Sequence, residues 1–69
     1  MSNYLGDQRI PLNLRKQVAD CALNLAESRL ALSLAPTPLR PIAAIEMERD
    51  EFALNVSITI ATKAYIAAQ

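Results

Sequence analysis

The sequence predicts an all-α protein: two long helices folded as an antiparallel hairpin, which dimerises into a four-helix bundle. Three observations support this prediction. Apolar residues recur with helical spacing, a proline-rich segment interrupts them midway, and each helix carries two apolar sides. At 69 residues the chain forms one small domain, spanning residues 1–69.

Four segments make up this domain. Residues 1–10 contain a Gly-Asp turn signal and no helical period, which predicts an extended arm. Helix one is predicted over about residues 11–34, because Pro11 suits the first turn of a helix. Closely spaced prolines break that helix and predict a stiff turn over residues 35–40. Helix two then covers about residues 41–68, whose interior contains neither Gly nor Pro.

Each predicted helix has two apolar stripes on roughly opposite sides. In helix one, stripe 1A contains Leu14, Val18, Cys21, Leu25 and Leu32, and stripe 1B contains Leu12, Leu23, Leu30 and Leu34. In helix two, stripe 2A contains Ile42, Ile45, Phe52, Val56 and Ile60, and stripe 2B contains Met47, Leu54, Ile58, Ala61 and Tyr65. A lone hairpin gives each helix one neighbour, whereas a dimer of hairpins gives it two. Burying a leucine-sized side chain contributes about 1.5–3 kcal/mol, which favours the homodimer over a monomer whose second stripe binds a partner.

The stripes and charges define candidate sites. The predicted core and dimer interface contains Leu14, Val18, Cys21, Leu25, Leu32, Phe52, Val56 and Ile60. The candidate partner-binding residues are Tyr4, Leu5, Arg15, Lys16, Met47, Leu54, Ile58, Lys63 and Tyr65. In an antiparallel hairpin the cations of this second set collect at the open end, which is the end opposite the turn, and acidic residues collect beside the turn.

Composition excludes several functions. Seven basic and seven acidic residues give no net charge, so we expect no direct nucleic-acid binding. No uncharged segment reaches the ~18–20 apolar residues that cross a bilayer, so no membrane insertion is expected. The chain lacks histidine and has a single Gly and a single Cys, which excludes histidine triads, a phosphate-binding loop and a disulfide within the chain. We therefore predict no enzyme activity, no metal and no cofactor, and a reducing cytoplasm for the unpaired Cys21.

Glu46 and Asp50 lie four residues apart on helix two, a spacing that brings two carboxylates together for acid-base work or for a divalent ion. Arg49 lies within one turn of Glu46, and Arg29 is expected across the hairpin from it. An exposed cluster of ion pairs therefore explains these residues better than a catalytic pair.

The segments YLGDQRIPLNLRKQ and LAPTPLRP, the helical ending and the length resemble a family of small phage-encoded quorum-sensing anti-activator proteins. The resemblance covers the whole chain and carries no residue-level motif. It implies a dimeric helical protein in the host cytoplasm that binds the DNA-binding region of a LuxR-type transcriptional activator (LasR). It also implies a second inhibitory role on the pilus-assembly ATPase PilB.

Two other functions fit the same residues. A helical-hairpin sponge would sequester a cyclic nucleotide between protomers, with Arg15 and Lys63 near the phosphates and Tyr4 or Tyr65 stacked on the bases. A structural assembly protein would use the apolar stripes alone. Stabilisation by cyclic dinucleotides favours the sponge, and a complex with a host regulator favours the inhibitor.

Overall fold

The computed structural model describes residues 9–69, which form an all-helical structure. α1 covers Leu12–Leu34, α2 covers Arg40–Ala67, and a short 3₁₀ turn, Thr37–Leu39, connects them. The two long helices pack against each other, which confirms the all-α prediction. Only Arg9 and Ile10 of the predicted arm belong to the described residues.

Prolines and extended backbone define the helix ends. The carbonyl of Pro11 accepts hydrogen bonds from the backbone N–H groups of Leu14 and Arg15, at 3.0 and 3.1 Å, and so starts α1. Ala35 ends α1 in an extended conformation, with φ −68° and ψ 135°, because the proline that follows it disfavours helical geometry. Pro41 lies in the first turn of α2, where its missing N–H is not needed.

The contact between the helices follows one regular spacing, alternately three and four residues. This inner seam contains Leu14, Val18, Cys21, Leu25, Ser28 and Leu32 of α1, and Ala43, Met47, Asp50, Leu54, Ser57, Ala61 and Ala64 of α2. All of these side chains are buried or half-buried. Alternating steps of three and four residues keep one side of a helix facing its neighbour, as in a coiled coil.

Two polar contacts show the register of the hairpin. The Cys21 Sγ atom lies 3.3 Å from the Ser57 Oγ atom, and the Ser28 hydroxyl donates a hydrogen bond to Asp50 Oδ2. A step of seven residues toward the turn along α1 is therefore matched by seven residues backward along α2. The helices run antiparallel, with polar layers between the apolar ones.

The best-buried apolar group lies at the open end of the hairpin. Ile10, Val18 and Ala61 are 0%, 3% and 1% exposed and form one cluster, against which Leu14, Leu54 and Tyr65 are packed. The sequence assigned Ile10 to an extended arm, but its side chain is inserted between the helices. Ile10 lies two residues before Leu12, the first residue of α1, so its side chain reaches the end of the inner seam and closes it.

Candidate interaction surfaces

The two apolar stripes of α2 have opposite environments. Leu54 and Tyr65 of stripe 2B are half-buried and packed on the core, whereas Phe52, Val56 and Ile60 of stripe 2A are 70%, 41% and 42% exposed. These three residues are therefore not part of the hairpin core. Phe52, Val56 and Ile60 were predicted to lie in the core or the dimer interface, and within the hairpin they are exposed. Met47, Leu54 and Tyr65 were candidate partner-binding residues, and within the hairpin they are half-buried.

The small residues of α2 give a physical reason for this arrangement. Ser57 and Ala61 lie on the inner side and are 4% and 1% exposed. Small side chains let two helix backbones approach closely, whereas the bulky side chains of stripe 2A would hold the helices apart. Both stripes are apolar at helical spacing, so periodicity alone could not distinguish the inward one.

Stripe 1B of α1 faces away from α2. Its residues Leu12, Leu23, Leu30 and Leu34 are 57%, 59%, 60% and 74% exposed. On the opposite side of the helix, Val18 and Leu25 of stripe 1A are buried, and Leu14, Cys21 and Leu32 are half-buried. The hairpin thus leaves one large apolar stripe uncovered on each helix, 1B on α1 and 2A on α2.

The outward stripes are more apolar than the contact that holds the hairpin together. The inner seam includes Cys21, Ser28, Asp50 and Ser57, whereas stripes 1B and 2A contain only Leu, Ile, Val and Phe. Large exposed apolar patches mark interaction sites in soluble proteins. These two stripes are the candidate interaction surfaces.

The candidate cations do not converge on one site. Arg15 is half-buried and its Nε atom is buried without a hydrogen-bond partner, whereas Lys16 and Lys63 are exposed. Arg15 and Lys16 point to different sides of α1, because consecutive helical residues are about 100° apart. The Arg9 guanidinium lies over the Tyr65 ring, 4.4 Å from its centroid, and gives Tyr65 a role at the open end of the hairpin.

The other predicted residues are Tyr4, Leu5, Ile58 and Cys21. Tyr4 and Leu5 lie outside the described residues. Ile58 is 43% exposed and therefore accessible, although it belongs to stripe 2B. Cys21 is a free thiol whose described hydrogen-bond partner is the Ser57 hydroxyl.

Charged residues near the turn form an ion pair that differs from the expected one. Arg29 Nη2 lies 3.7 Å from Glu51 Oε2, and both side chains are at least half exposed. The sequence placed Arg29 near Glu46, which lies five residues before the observed partner Glu51. Asp50, considered as a partner of Glu46 in a carboxylate pair, instead accepts the hydrogen bond from Ser28.

Sequence reasoning did not identify several residues of the interhelical contact. Ile10, Ser28 and Ser57 were not assigned to the core, yet each is buried or half-buried there. A strict search for alternating steps of three and four residues would have found the two serines, because it does not require an apolar residue at every position. Ile10 carried a weaker signal, an apolar side chain directly before the helix start.

Within residues 9–69 there is no pocket and no group of three or more metal-ligating side chains. Neither helix in this part of the chain is long and apolar enough to cross a membrane.

No family model, curated protein or solved structure matches the chain. The features of this chain that bear on function are the two outward stripes and the resemblance carried by its sequence.

Proposed function

We propose that this protein is a non-catalytic inhibitor that binds a host LuxR-type transcriptional activator of quorum sensing (LasR). It acts in the host cytoplasm as a homodimer of hairpins, in the four-helix arrangement expected from the sequence. By covering the DNA-binding region of the activator, it prevents the activator from engaging promoters. The pilus-assembly ATPase PilB is the second target in this proposal.

The observation that supports an interaction role is the exposure of stripes 1B and 2A. Leu34 and Phe52 are 74% and 70% exposed, and each belongs to a row of large apolar residues. Leaving such rows in water forfeits about 25 cal/mol for each Å² of apolar surface that a partner would cover. Two separate rows allow the protein to pair with itself and with a target at once.

The identity of the target rests on the resemblance to the anti-activator family. The mode of action is steric, since a rigid helical surface can block a partner's functional face without catalysing a reaction. Of the predicted partner-binding residues, Lys16, Ile58 and Lys63 are exposed. Lys16 lies in line with stripe 1B, seven residues before Leu23.

The test is a promoter-DNA binding assay with purified LasR and increasing amounts of this protein. Wild type is expected to displace LasR from DNA and to form a complex detectable by light scattering. The double change Leu23→Glu and Leu30→Glu is expected to abolish displacement, because both side chains belong to stripe 1B. The matched control is Gln17→Glu with Asn24→Glu, which adds the same charge at exposed positions outside the stripe.

Two outcomes would contradict this proposal. If wild type leaves LasR on its promoter at all concentrations, the inhibitor function is wrong. If a cyclic dinucleotide raises the melting temperature of the protein while LasR binding is absent, the nucleotide sponge replaces it.

A further inference from the structure

The side of α2 that faces away from α1 carries its own regular spacing. This outer seam contains Ile42, Ile45, Arg49, Phe52, Val56, Thr59, Lys63 and Ile66, in alternating steps of three and four residues. All eight are exposed, including Ile66 at 61%. The inner seam of α2 has the same spacing and packs on α1. The outer seam therefore has the pattern required for a second helical neighbour.

The outer seam is complementary to itself in the antiparallel direction. With a twofold axis between Phe52 and Val56, the Phe52 side chain of one copy meets Val56 of the other. The same axis pairs Ile42 with Ile66, Ile45 with Lys63 and Arg49 with Thr59. Apolar pairs then occupy the centre and both ends, and the stem of Lys63 covers Ile45.

Charge distinguishes the antiparallel direction from the parallel one. Glu46 lies beside the outer seam near the start of α2, and Lys63 lies in it near the end. Neither has an ion-pair partner within residues 9–69. Antiparallel pairing brings Lys63 of one copy next to Glu46 of the other, whereas parallel pairing places Lys63 next to Lys63.

Arg49 and Thr59 are the polar residues on either side of the centre of the outer seam. The long Arg49 side chain can keep its guanidinium in water at the edge of the contact, and Thr59 is compatible with burial. The Thr59 hydroxyl donates a hydrogen bond to the backbone carbonyl of Asn55, at 2.9 Å. Since its donor is satisfied within α2, Thr59 can be covered by a second helix without leaving a buried donor unpaired.

We propose that two copies of the chain pair through the outer seam of α2, antiparallel, about an axis between Phe52 and Val56. This rests on the dimer in the proposed function and specifies its surface and direction. It gives a second helical neighbour to α2 alone, in place of the bundle in which each helix has two. Stripe 1B lies on the far side of α1 and is not part of the contact. The dimer therefore presents two copies of stripe 1B to a target.

Distances between spin labels test the direction. Single cysteines replace Ala53 or Ala67, both exposed, in a full-length chain that also carries Cys21→Ala. Antiparallel pairing places the two Ala67 positions about 40 Å apart, at 1.5 Å per residue from the axis. It places the two Ala53 positions about 10 Å apart, the separation of packed helices. Parallel pairing gives about 10 Å at both positions.

Charge reversal provides the second measurement. Lys63→Glu is expected to weaken dimerisation about tenfold, measured by sedimentation equilibrium, because it replaces two attractions with two repulsions. Adding Glu46→Lys is expected to restore it. Lys16→Glu makes the same charge change on α1 and is expected to leave dimerisation unchanged.

Three results would contradict the proposed dimer contact. These are a monomeric wild type, a short distance between the labels at position 67, and an equal effect of Lys63→Glu and Lys16→Glu on dimerisation. Displacement of LasR from DNA by wild type is measured separately, and its result tests the inhibitor function independently of the dimer contact. A long Ala67 distance with rescue by Glu46→Lys supports the seam.

Discussion

The inner and outer seams of α2 share one spacing but differ in composition. The inner seam contains Ser57 and Ala61 and packs on α1, whereas the outer seam contains Phe52 and Val56 and remains exposed. Small side chains allow a close approach of backbones, and large ones offer more apolar area to a partner. In this hairpin the side of α2 that packs on α1 carries the smaller side chains at its closest contact, and the larger apolar side chains remain exposed.

The largest expected effect separates the two seams directly. Leu25→Asp places a charge in the inner seam, where Leu25 is 6% exposed. Leu-to-Ala changes in cores already cost about 2–5 kcal/mol, and an unpaired buried charge adds to that. We expect this variant to be unfolded by circular dichroism, since a chain of this size has at most about 3–5 kcal/mol available.

Phe52→Asp is the matched change in the outer seam. We expect it to keep its helical spectrum and to behave as a monomer in light scattering, with a lower melting temperature because a dimer stabilises its own fold. A folded Leu25→Asp protein, or an unfolded Phe52→Asp protein at all temperatures, would reverse the assignment of the two seams.

The closest approach of the helices is tested by adding volume. Ala61→Leu inserts a large side chain at a position that is 1% exposed, and we expect a loss of about 1–3 kcal/mol in the free energy of unfolding. Ala31→Leu adds the same atoms at an exposed position of α1, in line with Gln17 and Asn24, and is expected to change stability by less than about 0.5 kcal/mol. Urea denaturation of both variants makes the comparison, and equal effects would show that Ala61 is not at a close contact.

A smaller effect is expected from the polar layers. Ser28→Ala removes the hydrogen bond to Asp50 and leaves a half-buried carboxylate without that donor, which costs about 1–2 kcal/mol. Ser33→Ala is the control, because the Ser33 hydroxyl is exposed and donates only to the Leu30 carbonyl of its own helix. Thermal unfolding distinguishes them, and a Ser28→Ala melting temperature at or above that of Ser33→Ala would contradict the polar layer.

The smallest effect concerns the surface ion pair. Arg29→Ala breaks the contact with Glu51, in which both side chains are largely exposed, and we expect a loss of about 0–1 kcal/mol. The loss should disappear at high salt, because screening removes the attraction between exposed charges. A loss that persists at 1 M salt, a condition at which the Debye length is about 3 Å, would indicate a packing role for the arginine stem.

Much of the fold could be predicted from local chemistry. The helical class and the break between the helices follow from apolar periodicity and from the prolines around residues 36–41, and the structure confirms both. Stripes 1A and 1B were separable as groups because their members share an angle on one helix. The helical class, the break and the stripes each depend only on residues within one segment of the chain.

The inward side of α2 could not be predicted in this way. Stripes 2A and 2B both satisfy the helical period, and the choice between them depends on how closely α1 can approach Ser57 and Ala61. The position of Ile10 was unpredictable for a related reason, since it depends on the gap that remains at the open end of the seam. The candidate partner-binding site changed accordingly, from Leu54 and Tyr65 to the exposed stripes 1B and 2A.

By itself the sequence determined the all-helical class, the position of the turn and the presence of two apolar stripes on each helix. These features depend on backbone geometry and side-chain spacing within single segments. Only the tertiary structure decided which stripe of α2 faces α1, how the polar layers align, and which apolar rows remain outside. Those outcomes depend on the shape of two helices together, because close packing rewards complementary volumes as well as apolar character.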